Sequence, residues 1–199
     1  MNKKPYSSSM KKTPFKYAAS KKIAKLILQG YDRNEVYKKC FDENYIEVDS
    51  LERRREITNL VYARLLELDD YLLTQFCEGD LDSSKFILAY AIAKYDTMFF
   101  EFLYEVYREA LLGNKDSISL DDFDNFFEVK KESDLIVATW SSSTIDQLCK
   151  GYRNVLVESG LGERVKRSVK AIKPLVHPAI VNHIELCGDK EYLQAMLGV

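Results

Sequence analysis

The segment SLERRREITNLVYARLLEL, residues 50–68, decides the fold because its apolar side chains recur at helical spacing. On a helical wheel they form a single stripe, made of Ile57, Leu60, Val61, Leu65 and Leu68. Ser50 is a typical N-cap residue, so the segment predicts an amphipathic helix that begins there and packs on other helices.

The same segment places three adjacent arginines, Arg53, Arg54 and Arg55, in the first turns of the predicted helix. Cations are disfavoured there, since this end carries the positive pole of the helix dipole. One explanation is a bound phosphate, which would satisfy both the arginines and the free backbone N–H groups. The other is pairing with nearby acids, namely Glu47, Asp49, Glu52 and Glu56. The sequence leaves both explanations open.

Two shorter helices are predicted upstream, in SKKIAKLILQG (20–30) and in DRNEVYKKCF (32–41). Gly30 ends the first and Asp32 caps the second. Helix, tight turn, helix, connector and helix follow one another, which is the layout of a helix-turn-helix or winged-helix unit. Residues 1–18 are polar and rich in lysine, and they predict a flexible basic arm.

The middle of the chain is helical and acidic, and its most apolar stretch runs from residue 86 to 107. Aromatic residues fall on several faces of this stretch, which is expected at the centre of a bundle. Charged residues interrupt it well before the ~18 uncharged residues that a membrane span needs. Arg64, on the apolar stripe of the helix before it, is expected to be partly buried and paired with a carboxylate.

A second informative stretch, TWSSSTIDQLCKGYRNVLVESGL (139–161), predicts a helix from an N-cap at Ser143 to a stop at Gly160. Its outer face carries Gln147, Lys150, Arg153 and Asn154. The segment GERVKRSVKAIKP (162–174) adds five cations and fits either a helix or strands, as in a wing. Two short helices, near 178–186 and 189–197, are expected to finish the chain.

These patterns predict a mainly α protein, a two-lobed helical bundle with little β structure. Helix-turn-helix-like or winged-helix-like units are expected at both its N-terminal and C-terminal ends. The predicted divisions are the arm over 1–18, an N-terminal helical domain with the helix-turn-helix-like unit over 19–135, and a C-terminal winged-helix-like domain over 136–199.

The net charge of −2 hides an asymmetry that indicates a polyanion partner. Residues 1–40 hold eleven Lys and Arg against two Asp and Glu, whereas residues 41–134 hold ten against twenty-three. The residues predicted to contact nucleic acid are Arg53, Arg54, Arg55, Lys150, Arg153, Arg164, Lys166, Arg167 and Lys170, with Lys21, Lys22 and Lys25 as supporting residues.

Enzyme chemistry is the least favoured reading of this sequence. It shows no P-loop, no nucleophile motif and no cluster of metal ligands at a recognisable spacing. The four cysteines, Cys40, Cys77, Cys149 and Cys187, form no CxxC pair and are expected to be reduced, and both histidines, His177 and His183, are expected to be structural or on the surface. We therefore predict a cytoplasmic protein with no catalytic residues, metal, cofactor or membrane segment.

Several pieces of the chain resemble the BrxA family, a small protein of BREX phage-defence systems. They are ENYIEV (43–48), the 50–68 segment, FFEVK (126–130) and VATWSSSTIDQLCKGYRNVLVESGLG (137–162). The matched residues are Gly30, Asn44, Arg64, Leu65, Phe127, Trp140, Thr144, Gly160 and Leu161, and the resemblance spans about 20–176. Family members are sometimes labelled inner-membrane proteins, which the charges within residues 86–107 contradict.

The resemblance implies a function, since the family is described as binding DNA and as similar to NusB, a helical RNA-binding protein. It implies a non-enzymatic nucleic-acid-binding component of a multi-protein defence system. The basic clusters add the expectation that the ligand is double-stranded DNA, bound with low sequence specificity beside other BREX proteins. Two alternatives stay open: NusB-like RNA binding, and a scaffold that binds defence proteins through its acidic middle, for example at Asp121, Asp122 and Asp124.

Overall fold

The computed structural model describes residues 4–199, and its N-terminal third has the predicted order of short helices. After a 3-10 turn at Ser9–Lys11 come α1 (Tyr17–Leu28), α2 (Arg33–Tyr37), which continues into a π-helical turn (Lys38–Asp42), and α3 (Leu51–Leu65). Ser50 caps α3 as predicted, because its hydroxyl accepts a hydrogen bond from the backbone N–H of Arg53 at 3.3 Å.

The middle of the chain forms the buried centre of the bundle. It comprises α4 (Asp70–Glu78), α5 (Leu81–Tyr95), α6 (Thr97–Phe102), a π-helical turn (Leu103–Tyr107) and α7 (Arg108–Leu111). Every residue from 86 to 93 in α5 is at most 1% exposed, so this helix is buried all round, as its sequence predicts. Across residues 4–199, no helix is long and apolar enough to cross a membrane.

The remaining elements are α8 (Leu120–Ser133), α9 (Leu135–Ala138), α10 (Ser142–Glu158), the strands β1 (Gly162–Val165) and β2 (Ser168–Ala171), α11 (Pro178–Leu186) and α12 (Lys190–Leu197). Residues 162–171, which fit a helix or strands, thus form an antiparallel hairpin. Ser141 rather than the predicted Ser143 caps α10. The prediction of a mainly α protein with little β structure is confirmed, since the described residues form only this two-stranded sheet.

One buried cluster runs across the division predicted between residues 135 and 136. Tyr152 of α10 is fully buried, and its ring centre lies 5.0 Å from that of Phe99, 5.3 Å from that of Phe102 and 5.6 Å from that of Phe127. Such ring pairs contribute about 0.5–1.5 kcal/mol each beyond their buried area. These contacts fix α10 against α6 and α8.

The flexible basic arm predicted over residues 1–18 is not what the structure shows. Residues 4–18 pack on the bundle instead. Met10 and Phe15 are 0% and 1% exposed. The Met10 carbonyl lies so close to α10 that a Cβ added at Gly151 would stand 2.6 Å from its oxygen. Because lysines and prolines surround these apolar residues, the sequence shows no helical or strand periodicity that would predict their burial. Residues 1–3 of the predicted arm lie outside the described residues.

Two buried charges lie beneath this segment. Arg64 is completely buried, not partly as predicted, and its Nη1 donates to the Pro14 carbonyl at 2.9 Å. Asp96 caps α6 by accepting from the backbone N–H of Phe99 at 3.0 Å, and the Ser9 hydroxyl donates to it at 3.5 Å. Burial raises the pKa of Asp96 to about 6, although the charge of Arg64 favours its ionised form. Within residues 4–199, no carboxylate oxygen lies within 4.0 Å of Arg64.

Replacing Gly151 with alanine tests the close approach between α10 and the N-terminal segment. Gly→Ala inside a helix normally stabilises by about 0.5–1 kcal/mol. Here the added Cβ meets a backbone carbonyl, so we expect a loss of about 1–3 kcal/mol instead. Urea unfolding of Gly151→Ala beside Gln147→Ala, an exposed change on the same helix, measures it. A stabilised Gly151→Ala variant would contradict the packing of residues 8–11.

The raised pKa of Asp96 predicts a pH dependence of stability. The folded protein holds this proton more tightly than the unfolded chain does, so the associated stability is complete below about pH 4 and is lost as pH rises through about 6. Between pH 4 and 7, the free energy of unfolding of the wild type, minus that of Asp96→Asn, should fall by about 2 kcal/mol. Urea unfolding of both proteins across this range is the measurement, and parallel curves would refute the shift.

Candidate nucleic-acid interface

The arginines at the start of α3 have separate partners, and Arg54 is bound internally. It is 8% exposed, and three of its nitrogens donate to backbone carbonyls: Nε to Val48 at 2.8 Å, Nη1 to Phe41 at 2.6 Å and Nη2 to Asp49 at 3.3 Å. These bonds use the Arg54 guanidinium internally, so its predicted contact with nucleic acid has little exposed surface to act through. Its guanidinium instead holds the connector of residues 41–49 against α3.

Arg53 and Arg55 remain at the surface in different surroundings. Arg53 pairs with Glu56 at 3.2 Å and donates to the Lys12 carbonyl at 3.1 Å. Lys12 also pairs with Glu56 at 2.9 Å, and its hydrogen bond lowers the pKa of that carboxyl. Arg55 is exposed, with its guanidinium carbon 5.1 Å from the centre of the Phe41 ring. Of the three arginines at the start of α3, only Arg53 is therefore explained by pairing with an acid.

The three supporting lysines of α1 also differ in what they contact. Lys21 donates to the carbonyls of Phe76 and Cys77, where its charge stabilises the last turn of α4. Lys22 pairs with Glu47 at 2.7 Å. Lys25 is exposed, and it makes no ion pair with the residues described. Of the three, Lys25 is the one whose charge is available to a partner.

A second group of cations lies on α10 and the hairpin, and we call it the basic strip. Its members are Lys150, Arg153, Arg164, Lys166, Arg167 and Lys170. Over residues 4–199, none of the six has a carboxylate oxygen within 4.0 Å. Two acids flank the strip, namely Asp146 one turn before Lys150 and Glu163 opposite Lys170 in the hairpin register. The strip is predominantly positive and largely uncompensated.

Polar contacts join the helix and the hairpin within the strip. Arg153 donates from Nη1 to the Arg167 carbonyl at 3.4 Å, and Arg164 donates from Nη2 to the side-chain oxygen of Asn154 at 3.3 Å. Both bonds leave the positive charge without a counter-charge. They hold the hairpin beside the outer face of α10. Arg164 lies on the hairpin face that carries Val169, whereas Lys170 lies with Glu163 on the opposite face.

The hairpin itself is anchored by packing that the sequence analysis missed. Val169 is buried, and its backbone exchanges two hydrogen bonds with Ile118, at 2.8 and 2.9 Å. Gly162 permits this, because a Cβ there would stand 2.4 Å from Cγ1 of Val169. The alternation of Val165, Val169 and Ala171 was the available signal for strands.

The tip of the hairpin carries a lysine in an unfavourable conformation. Lys166 has a φ of 55°, in the left-handed region, which costs a non-glycine residue about 1–2 kcal/mol. Glycine or asparagine is the usual residue in such a turn. Lysine at this position places an exposed cation at the tip of the hairpin, beside Arg167.

The acidic surface proposed for docking is partly explained by local structure. Asp122 closes a capping box with Ser119 at the start of α8 and also pairs with Lys115. Asp121 and Asp124 are exposed, and they have no ion pair among the described residues. Of these three acids, only Asp121 and Asp124 therefore present unpaired charge to a partner.

Comparison with known proteins gives one matching family, one protein of similar sequence and one structure of similar fold. The model of the BrxA family matches residues 4–186. The chain is 35% identical over 193 residues to BREX protein BrxA of Bacillus cereus (strain H3081.97), covering 97% of this chain and 96% of that protein. The fold is similar to the crystal structure of an uncharacterized protein from Magnetospirillum magneticum, with a TM-score of 0.84, 19% identity, and coverage of 96% and 98% of the two chains.

A comparison of two neighbouring arginines tests their assigned roles. Arg54→Ala leaves three carbonyls without their donor and empties a buried site, so we expect it to lower the free energy of unfolding by about 2–4 kcal/mol. Arg55→Ala removes the same side chain from an exposed position and should stay within about 0.5 kcal/mol of wild type. Urea unfolding measures both. Equal effects of the two changes would contradict the internal role of Arg54.

Proposed function

The chain belongs to the BrxA family of BREX phage-defence components, and we propose that it is a non-enzymatic member that binds duplex DNA with low sequence specificity. The basic strip carries the proposal. Its six cations lie on α10 and the adjoining hairpin and have no carboxylate within 4.0 Å in the described part of the chain. Cations without acid partners are the ones that can neutralise phosphates and release their counterions.

The order of elements around the strip supports DNA rather than a small anion. Ile118 bridges β2, and α8, α9, α10 and the hairpin follow it in the chain. Winged-helix proteins have this order, with a helix in the major groove and a hairpin beside it. On this proposal α10 is the recognition helix, and the hairpin tip with Lys166 and Arg167 contacts the DNA phosphates.

Low specificity follows from the kinds of side chain on this surface. Most of them are lysines and arginines, which position a protein on phosphates, and few are amides that read base edges. Both amides on the outer face of α10 already have side-chain partners, since Asn154 accepts from Arg164 and Gln147 donates to Ser143. The acidic middle, with a net charge of −13 over residues 41–134, repels DNA from other surfaces.

A second candidate function is a scaffold that binds other BREX proteins. It is favoured by exposed apolar side chains on α8 and α9, where Val129, Leu135 and Ile136 are 59%, 89% and 46% exposed. Contiguous exposed apolar surface is typical of protein contacts. This surface and the basic strip are separate sets of residues, so the two functions can be tested separately.

Fluorescence anisotropy with duplex DNA, single-stranded DNA and RNA at several salt concentrations tests the proposal. If about five phosphates are neutralised, log K for duplex DNA should fall against log salt with a slope of roughly −4 to −5. Lys166→Asn with Arg167→Gln removes two charges from the hairpin tip and should flatten the slope by about two units. Asparagine suits the left-handed conformation at 166, so the turn is preserved.

Arg53→Gln with Arg55→Gln is the matched control, because it removes the same charge from the other predicted surface. Since Arg53 is already paired with Glu56, this change should alter the slope by at most about one unit. Equal effects of the two double variants would argue against the basic strip as the binding surface. Binding to RNA without binding to duplex DNA would support the NusB-like alternative, and binding to neither would support the scaffold.

A further inference from the structure

Three side chains with different metal-binding atoms meet where α11 passes the start of α4. Nε2 of His183 lies 2.6 Å from Oδ2 of Asp69, and Sγ of Cys187 lies 3.6 Å from the same oxygen. One nitrogen, one oxygen and one sulfur thus lie within 4.8 Å of one another. The sequence analysis predicted no metal site, because Asp69 is distant from the other two residues in the chain.

We propose that Asp69, His183 and Cys187 bind a zinc ion, with water as the fourth ligand. Zinc takes nitrogen, sulfur and carboxylate ligands in tetrahedral sites. A softer metal ion would favour thiolate ligands alone, and a harder ion would favour oxygen ligands alone. Bound zinc would tie α11 to α4, two helices that are far apart in the sequence.

The spacing of the ligand atoms fits such a site with small movements. Zinc bonds of about 2.0–2.3 Å at tetrahedral angles separate a nitrogen and an oxygen by about 3.3 Å and a sulfur and an oxygen by about 3.6 Å. The sulfur–oxygen distance already has this value, so His183 would need to move away from Asp69 by less than about 1 Å. Its nitrogen, which lies within 4.8 Å of the Cys187 sulfur, must also come to about 3.6 Å from that sulfur. His183 and Cys187 are one turn apart on α11, so their side chains share a face.

Neighbouring groups orient two of the three ligands. Oδ1 of Asp69 accepts from the backbone N–H of Leu72 at 2.9 Å as the cap of α4, which directs Oδ2 towards His183 and Cys187. The Tyr71 ring lies against the His183 ring, with 4.3 Å between their centres. Outer contacts of this kind fix ligand orientation in metal sites. Asp69 and Cys187 are exposed, so an ion can enter from solvent.

The same contacts argue against a catalytic cysteine. A nucleophilic thiol is stabilised as thiolate by a neighbouring cation. Burial and the hydrogen bond that the Cys187 thiol donates to Asp69 instead raise its pKa, and the nearby Asp189 adds to this while Lys94 opposes it. Zinc would reverse the balance, because its double charge compensates one thiolate and one carboxylate, and the thiol proton would be released to solvent.

Titration of the chelator-treated full chain with Co²⁺ tests the proposal, since cobalt substitutes for zinc and absorbs visible light. We expect one equivalent of Co²⁺ to give the intense d–d bands of a tetrahedral site and a thiolate-to-cobalt charge-transfer band, all abolished by excess Zn²⁺. Cys187→Ser should lose the charge-transfer band, and Asp69→Asn should weaken Co²⁺ binding by about tenfold or more. Asparagine is itself a good N-cap, so α4 is preserved in that variant.

Cys77→Ser and His177→Gln are the matched controls, because they remove the same kinds of side chain elsewhere and should leave the cobalt spectrum unchanged. Each variant is checked for folding by thermal unfolding without metal. Absence of a charge-transfer band from the wild type at saturating Co²⁺ would overturn the proposal. Persistence of that band in Cys187→Ser, or its loss in Cys77→Ser, would overturn it equally.

Discussion

The fold depends on one constraint, which is that the central part of α5 has no solvent-exposed face. Residues 86–93 are all buried, so other helices must cover every side of them. Helices α1, α3 and α4 pack on α5, and the end of the chain is held there too. The Tyr90 hydroxyl donates to Asp189, just before α12, and Lys94 pairs with the same carboxylate at 2.7 Å. A fully enclosed helix thereby draws distant segments into a single core.

Enclosure of this kind also explains how the positive charges are divided between structure and surface. Four cations of the N-terminal half have internal partners, whereas Lys25 and Arg55 stay exposed: Arg54 and Lys21 donate to carbonyls, and Arg53 and Lys22 pair with acids. Cations of α10 and the hairpin lie outside the core on a support fixed by Tyr152 and Val169. The arginine cluster of α3 and the basic strip therefore look alike in composition. They differ in how many of their charges are already bound within the protein, which only the structure shows.

Local patterns predicted the features that depend on neighbouring residues. The Ser50 cap, the apolar stripe of α3 and the buried centre of the bundle all follow from spacing within one turn or a few. The role of Arg54 depends on where the carbonyls of a preceding connector lie, and a helical wheel does not contain that information. The packing of Met10 was likewise invisible, since its partner Gly151 lies in α10, more than 100 residues away. His183 and Cys187 were recognised separately, but Asp69 is 114 residues from His183.

The contact between Met10 and Gly151 also orders events during synthesis. Residues 8–11 leave the ribosome well before α10, the helix that packs on them, because more than 100 residues separate the two in the chain. At typical elongation rates the segment waits for roughly 7–30 s before α10 is complete. During that interval its apolar side chains are open to water and to chaperones. The N-terminal segment therefore packs onto the bundle only after α10 has been made, although it is synthesised well before that helix.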